Sequence, residues 1–150
     1  MRVTIQRVTE ARVEVEGKIS GEIGKGLLVL AGFEEADEIE DLEWIANKML
    51  LLRIFNDEEG KMNRSLLDEE GEVLIVSQFT LHASYKKGNR PSYINAAKPN
   101  RAEGLYESFI NVVQQLMDKP VQTGVFGAHM KVSLVNDGPV TIYMDSKNKE

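Results

Sequence analysis

Hydrophobic and polar positions alternate at the start of the chain, and the period then changes. Val3, Ile5 and Arg7 alternate with Thr4 and Gln6, and Val13 and Val15 alternate with Arg12, Glu14 and Glu16. A period of two predicts two half-buried strands, each with one face in water. Glu16-Gly17-Lys18 predicts a tight turn into Ile19-Ser20-Gly21-Glu22-Ile23, and so a hairpin. After Gly24-Lys25-Gly26 comes Leu27-Leu28-Val29-Leu30-Ala31-Gly32, apolar throughout, the pattern of a strand covered on both faces.

The period then lengthens. Ile39, Leu42, Ile45, Ala46, Met49 and Leu50 recur every three or four residues, predicting a helix with one apolar stripe and Asp37 as its N-cap. Glu38, Glu40, Asp41 and Glu43 lie off the stripe and read as a solvated face. Trp44 is also off it and reads as packing against another element or a second subunit. Leu51 to Phe55 predicts a short strand, Asn56 to Gly60 a turn, and Lys61 to Leu67 has no clear period. Glu72 to Leu81 opens as a buried strand and runs into Ser77, Gln78 and Thr80.

A second helix is predicted from Asn100 as cap and Glu103 as its capping-box partner, with a stripe of Leu105, Phe109, Val112, Val113 and Leu116. Pro120 ends it. Val121–Val125, Met130–Val135 and Val140–Met144 predict closing strands, and the polar tail from Asp145 to Glu150 is expected to fray. The expected fold is a single α/β domain over residues 1–150. Its mixed sheets form two layers with both helices packed on one side, a three-layer α/β/β arrangement.

Composition narrows the classes. At 150 residues and 42% hydrophobic content the chain suits one globular domain, and no apolar run approaches a membrane span. The alternating, charged first residues do not read as a signal peptide. With no cysteine there is neither a disulfide framework nor a thiolate site, which suits the cytosol. A net charge of −6 argues against sequence-blind binding to duplex nucleic acid and leaves room for a small local site, such as an RNA end.

Candidate chemistry centres on Ser77, Gln78 and Thr80. Polar groups at the end of a buried strand must satisfy neighbouring backbone or face a ligand. The following segment, His82 to Tyr93, is a locally basic loop whose Lys86, Lys87 and Arg90 could meet phosphate or simply be solvated. The two histidines, His82 and His129, show no metal-ligand spacing, and no glycine-rich phosphate loop is present.

Ser77-Gln78-Phe79-Thr80-Leu81, together with Asn136-Asp137-Gly138-Pro139-Val140-Thr141, resembles the two signatures of the D-aminoacyl-tRNA deacylases. Further matches include Gln6-Arg7-Val8, Gly60-Lys61-Met62-Asn63, Gly88-Asn89-Arg90-Pro91-Ser92 and Gln122-Thr123-Gly124-Val125-Phe126, so the likeness runs nearly end to end. The resemblance implies a homodimeric hydrolase of the ester between a D-amino acid, or mischarged glycine, and the 3′ end of tRNA. It implies a proofreading role, an active site at the subunit interface, and no metal or organic cofactor.

By that resemblance Ser77, Gln78, Phe79 and Thr80 form the catalytic wall. Gly138 and Pro139 form a chiral gate supplied by the other subunit, and Asn136 is a further substrate-binding candidate. Asn63, Arg90 and Tyr93 are weaker candidates for shaping the pocket or meeting RNA. An isolated Gly-Pro reads as trans, whereas the resemblance implies cis, with carbonyls placed to strike an L side chain. Backbone N–H groups near Gln78-Phe79-Thr80 could hold an oxyanion, with the substrate's 2′-OH positioning water. Thr80 as nucleophile is the competing route and lacks a visible base. The rival functions are a non-catalytic module binding an RNA 3′ end or a D-amino acid, and a metal-dependent hydrolase using His82 and His129.

Overall fold

A computed structural model describes residues 1–150. The two short strands expected at the start are one strand, β1 (Arg2–Val15), and β2 (Lys18–Ile23) returns along its second half. The turn between them has positive φ at Glu16 and Gly17, as a tight hairpin requires. The period breaks near Val8 because the strand bulges there and changes which face it buries. Val3 and Ile5 enter one apolar core, while Val8, Ala11 and Val13 enter another.

Strand β3 (Gly26–Gly32) pairs antiparallel with the first half of β1 and parallel with β6 (Glu72–Ser77). Both are covered on both faces, which explains their unbroken apolar runs. Leu27, Val29, Val73 and Ile75 face the larger core under the helices, and Leu28, Leu74 and Val76 face the smaller one. The sheet continues to β7 (Gln122–Thr123) and wraps towards closure, while β8 (Lys131–Asp145) lies along the other edge of β1. Helix α1 (Ile39–Leu51) and helix α2 (Pro99–Gln115) cover the larger core. Helices, sheet and folded-over sheet make the expected three layers.

Several local expectations are corrected. Asp37 does not cap α1. It is fully buried and paired with the Met1 ammonium, and Glu38 takes the cap position, with Asp41 accepting its N–H at 3.0 Å. Ile39 is exposed, because it precedes the first turn that meets the core. Leu51 and Leu52 close α1 rather than start a strand. The strand is only β4 (Phe55–Asn56), paired with β5 (Met62–Arg64).

Helix α2 starts with Pro99 at its first position and Lys98 as cap, not at Asn100, since proline's fixed φ and missing N–H suit that place. Its buried residues include Ala102, Leu105, Tyr106, Phe109 and Val113, while Leu116 is exposed. The two closing strands from Met130 and Val140 are one strand, β8, and β7 is shorter than the predicted Val121–Val125. The tail is held further than its polarity suggests. Ser146 is buried, and Lys147 donates to the Asp41 carboxylate at 2.7 Å. Burial alone would raise the Asp41 carboxyl, but Lys147 and the Glu38 backbone bring it down to about 2.

Candidate active site

The wall of the site forms where β6 stops. The Gln78 N–H donates to the Ala31 carbonyl at 2.7 Å, and the chain then makes one turn of 3-10 helix, Phe79–His82. The strand ends at Ser77 because this turn replaces it. The turn sits tightly on Gly32. A Cβ there would stand 2.7 Å from the Gln78 carbonyl oxygen and 3.1 Å from the Leu81 Cβ, so only glycine permits the approach. From below, Arg2 donates to the Leu81 carbonyl at 3.1 Å while bonding Asp145 at 3.0 Å.

A cavity of about 330 Å³ opens above this wall. Its floor is the end of β3 at Ala31, Gly32 and Phe33, and its sides are Ser77, Gln78 and Phe79, the first turn of α2, and Phe126-Gly127. It therefore lies beyond the carboxyl ends of two parallel strands, a common place for ligands in α/β sheets. The lining is mostly carbon and contains no ionisable acid, lysine, arginine or histidine. Phe79 stands half exposed and meets Tyr93 edge to face, 4.9 Å between centroids. On the far side Phe126 leans on Tyr106 at 5.7 Å. The Tyr106 hydroxyl donates to the Ile75 carbonyl at 2.9 Å, and burial pushes its pKa up to about 12, so it stays protonated and ties α2 to β6.

Thr80 does not line the cavity. Its hydroxyl oxygen accepts from the Gln78 side-chain amide at 2.5 Å, so its nearest recorded partner is a donor, not a base. His82 is buried under the same turn. Neither ring nitrogen has a hydrogen-bond partner, and Nδ1 is 3.9 Å from the Glu34 carboxylate. Burial lowers its pKa below the usual value of 6.5, opposed in part by the Gly32 backbone and Glu34. His129 is exposed, and no three His, Asp or Glu side chains converge as a metal site would need.

The second signature stands apart. Between Gln6 and Val8 on β1, the partner positions on β8 run from Thr141 to Asn136, so Asp137 to Val140 bulge out of the ladder. Arg7, buried on the same face as Ile5, holds this bulge. It donates to the Asp137 carbonyl at 2.9 Å and to the Ile54 carbonyl at 2.6 Å. Asn136 closes the base, donating to the Thr141 hydroxyl at 3.0 Å and accepting from the Val140 N–H at 3.2 Å. At the tip, the Gly138-Pro139 peptide is cis and Gly138 has φ 134. Both tip residues are exposed, and neither lines the cavity of its own chain.

Of the candidate residues, then, Ser77, Gln78 and Phe79 come together at the cavity with Tyr93. Gly138, Pro139 and Asn136 form a separate projection. Arg90 lies on the exposed loop and Asn63 on exposed β5. Sequence reasoning did not single out Phe33, Phe126 or Arg7. Arg7 had a readable signal, a lone charge on the inward face of the Val3-Ile5 alternation, where a buried arginine must find partners.

The site has two parts: a cavity lined without charged side chains at the ends of two parallel strands, and a braced backbone projection that stands apart from it. The chain belongs to the D-Tyr-tRNA(Tyr) deacylase family, whose sequence model matches residues 4–145. The D-aminoacyl-tRNA deacylases of Bacteroides thetaiotaomicron and Flavobacterium johnsoniae are 57% and 58% identical to it over 150 residues, covering all of each chain. Among solved structures, the c-Myc DNA unwinding element binding protein is 41% identical with a TM-score of 0.92, covering 97% of this chain and 98% of that one. A probable eukaryotic D-amino acid tRNA deacylase, 21% identical, shares the fold at a TM-score of 0.80 over 95% of this chain and 97% of that one.

Proposed function

We propose that this chain, acting as one domain, hydrolyses the ester between a D-amino acid or glycine and the 3′-terminal ribose of tRNA, proofreading mischarged tRNA in the cytosol as a homodimer. The observation that carries this reading is the neutral cavity built on Ser77, Gln78 and Phe79 in a chain of this family. An activated ester needs less than an amide does: orientation and donors aimed at the developing oxyanion. A 3-10 turn leaves its first N–H groups without partners inside the turn; here these belong to Phe79 and Thr80, of which Phe79 lines the cavity. In the proposed step, water positioned by the substrate's 2′-OH adds to the ester carbonyl. The tetrahedral intermediate collapses with cleavage of the C–O bond, and the ribose oxygen leaves as a hydroxyl, taking the proton that the attacking water gives up.

Thr80 is not the nucleophile in this reading, since it lies outside the cavity lining and accepts from Gln78. The gate is Gly138-Pro139 of a second subunit, seated at the cavity mouth. Support comes from the exposed tip of a bulge braced by Arg7 and Asn136, and from β8, a 15-residue strand paired only with β1. A free strand edge with half-exposed Val135 and Tyr143 suits pairing with another copy. Rigid backbone beside the substrate α-carbon excludes an L side chain, admits a D one and has nothing to exclude on glycine.

The test is release of amino acid from D-Tyr-tRNA and L-Tyr-tRNA by purified protein. Rapid D hydrolysis with L spared supports the reading. Binding of tRNA without turnover of either ester would replace it with an RNA-end binding module.

A further inference from the structure

The chain carries 24 acidic residues against 18 basic ones, yet from Val73 to Ala102 there is no Asp or Glu at all. Lys86, Lys87, Arg90, Lys98 and Arg101 all fall in that stretch. The same stretch supplies Gln78, Phe79, Tyr93, Pro99 and Ala102 to the cavity. Arg101 is paired with Glu38, and the Lys98 N–H donates to the Glu35 carboxylate, so the cations of this stretch that stand clear of carboxylates on their own segment are Lys86, Lys87 and Arg90.

The loop holding the first three cations is anchored at the mouth. Ser84 and Ser92 exchange backbone hydrogen bonds of 2.7 and 2.8 Å, closing its neck, and the next residue, Tyr93, packs on Phe79. Beyond the neck every residue from Tyr85 to Pro91 is exposed. Elsewhere Lys25, Arg64 and Lys147 each meet a carboxylate, whereas Lys86, Lys87 and Arg90 meet none. Tyr85, 80% exposed, presents an aromatic ring on the same loop.

We propose that the loop between Ser84 and Ser92 grips the single-stranded RNA that leads into the cavity. Lys86, Lys87 and Arg90 take phosphates immediately 5′ of the terminal nucleoside, and Tyr85 stacks under one of its bases. This rests on the ester-hydrolase reading above and adds to it where the affinity for tRNA resides. Cations on a closed loop with an aromatic among them match how proteins hold single strands, by phosphate neutralisation and sequence-tolerant stacking. A duplex would ask for a broad basic face, which the net charge of −6 does not provide.

The experiment compares kcat/KM on D-tyrosyl-tRNA with that on the D-tyrosyl ester of adenosine, which has no phosphodiester strand. For Lys86→Gln/Lys87→Gln we expect the tRNA-to-adenosine ratio to fall about tenfold at 50 mM salt. The log–log salt dependence for tRNA should become shallower by about 1.4, at roughly 0.7 per phosphate for a single strand. Lys86→Arg/Lys87→Arg should keep the wild-type ratio, and Tyr85→Ala should lower it severalfold. An unchanged ratio and slope in the glutamine variant overturns the grip. So does an equal loss on both substrates, which would make the lysines structural. If wild-type protein cleaves neither ester, the hydrolase reading fails and the grip falls with it.

Discussion

The wall at Ser77–Phe79 and the bulge at Asp137–Val140 are both short departures from a strand, but they are placed in opposite ways. The wall is backed by β3, β6 and α2 and opens into the cavity. The bulge has its own bracing from Arg7 and Asn136 and ends in solvent. Rigidity in the wall serves the cavity above it. Rigidity in a projection that stands away from the wall's cavity in its own chain acquires a purpose if a second copy receives it. In the proposed reading the comparison divides chemistry from selection: donors at the wall, exclusion at the gate.

The largest effect should come from cutting the brace. Arg7→Met leaves the Asp137 and Ile54 carbonyls without their donor inside the protein and should cost about 3 kcal/mol of stability, read by urea unfolding. The surviving folded protein should cleave L-Tyr-tRNA faster relative to D-Tyr-tRNA. An unaltered D/L ratio would separate the brace from the gate.

Gly138→Ala follows. At φ 134 an added Cβ would stand 2.8 Å from the Val140 side chain and 3.0 Å from Arg7, a strain of about 1–3 kcal/mol. Single-turnover rates on D-Tyr-, D-Asp- and glycyl-tRNA should all drop about tenfold, because the tip shifts for every substrate. A selective loss on one side chain would contradict a gate that does not read side chains.

Thr80→Val is expected to do less. It removes the acceptor for the Gln78 amide, at about 1 kcal/mol, and should slow hydrolysis by no more than about tenfold. Abolished turnover in a folded variant that still binds tRNA would restore the threonine as nucleophile.

The smallest effect is on stability against pH. The buried His82 ring holds its proton less tightly than an ordinary histidine, so between pH 6.5 and its lowered pKa the unfolded chain binds more protons. Stability is therefore full above pH 6.5 and is lost as pH falls below it. His82→Asn should show a shallower loss of urea midpoint between pH 7.5 and 5.5. Equal loss in both proteins would place the titration elsewhere.

Much of this architecture was legible in period and motif. The hairpin, the buried runs of β3 and β6 and the stripes of both helices follow from residue spacing, because each buries one continuous face. The Val8 bulge was not legible, since a strand that transfers from one core to another looks like two strands. Nor was the cap of α1, where Asp37 is drawn into an ion pair with Met1. At the site, Ser77 and Gln78 announced themselves as polar groups at the end of a buried strand, and Phe79 entered only through the family resemblance. Phe33 and Phe126 did not, because an aromatic lining a cavity has the same local pattern as one in a core. Thr80, the third polar residue there, lies off the cavity lining, because adjacency along a turn does not place a side chain on the turn's open side.

Subunit mixing tests the division of wall and gate most directly. A Gly138-Pro139 double variant and a Phe79→Ala variant, each inactive or nearly so, are combined one to one under conditions where exchange is verified by mass-tagged subunits. If every cavity takes its gate from the other chain, half the dimers are mixed and each carries one intact site. D-Tyr-tRNA hydrolysis should then recover to about a quarter of the wild-type rate. Verified mixed dimers with no activity above the parents would contradict the account and return both signatures to a single chain.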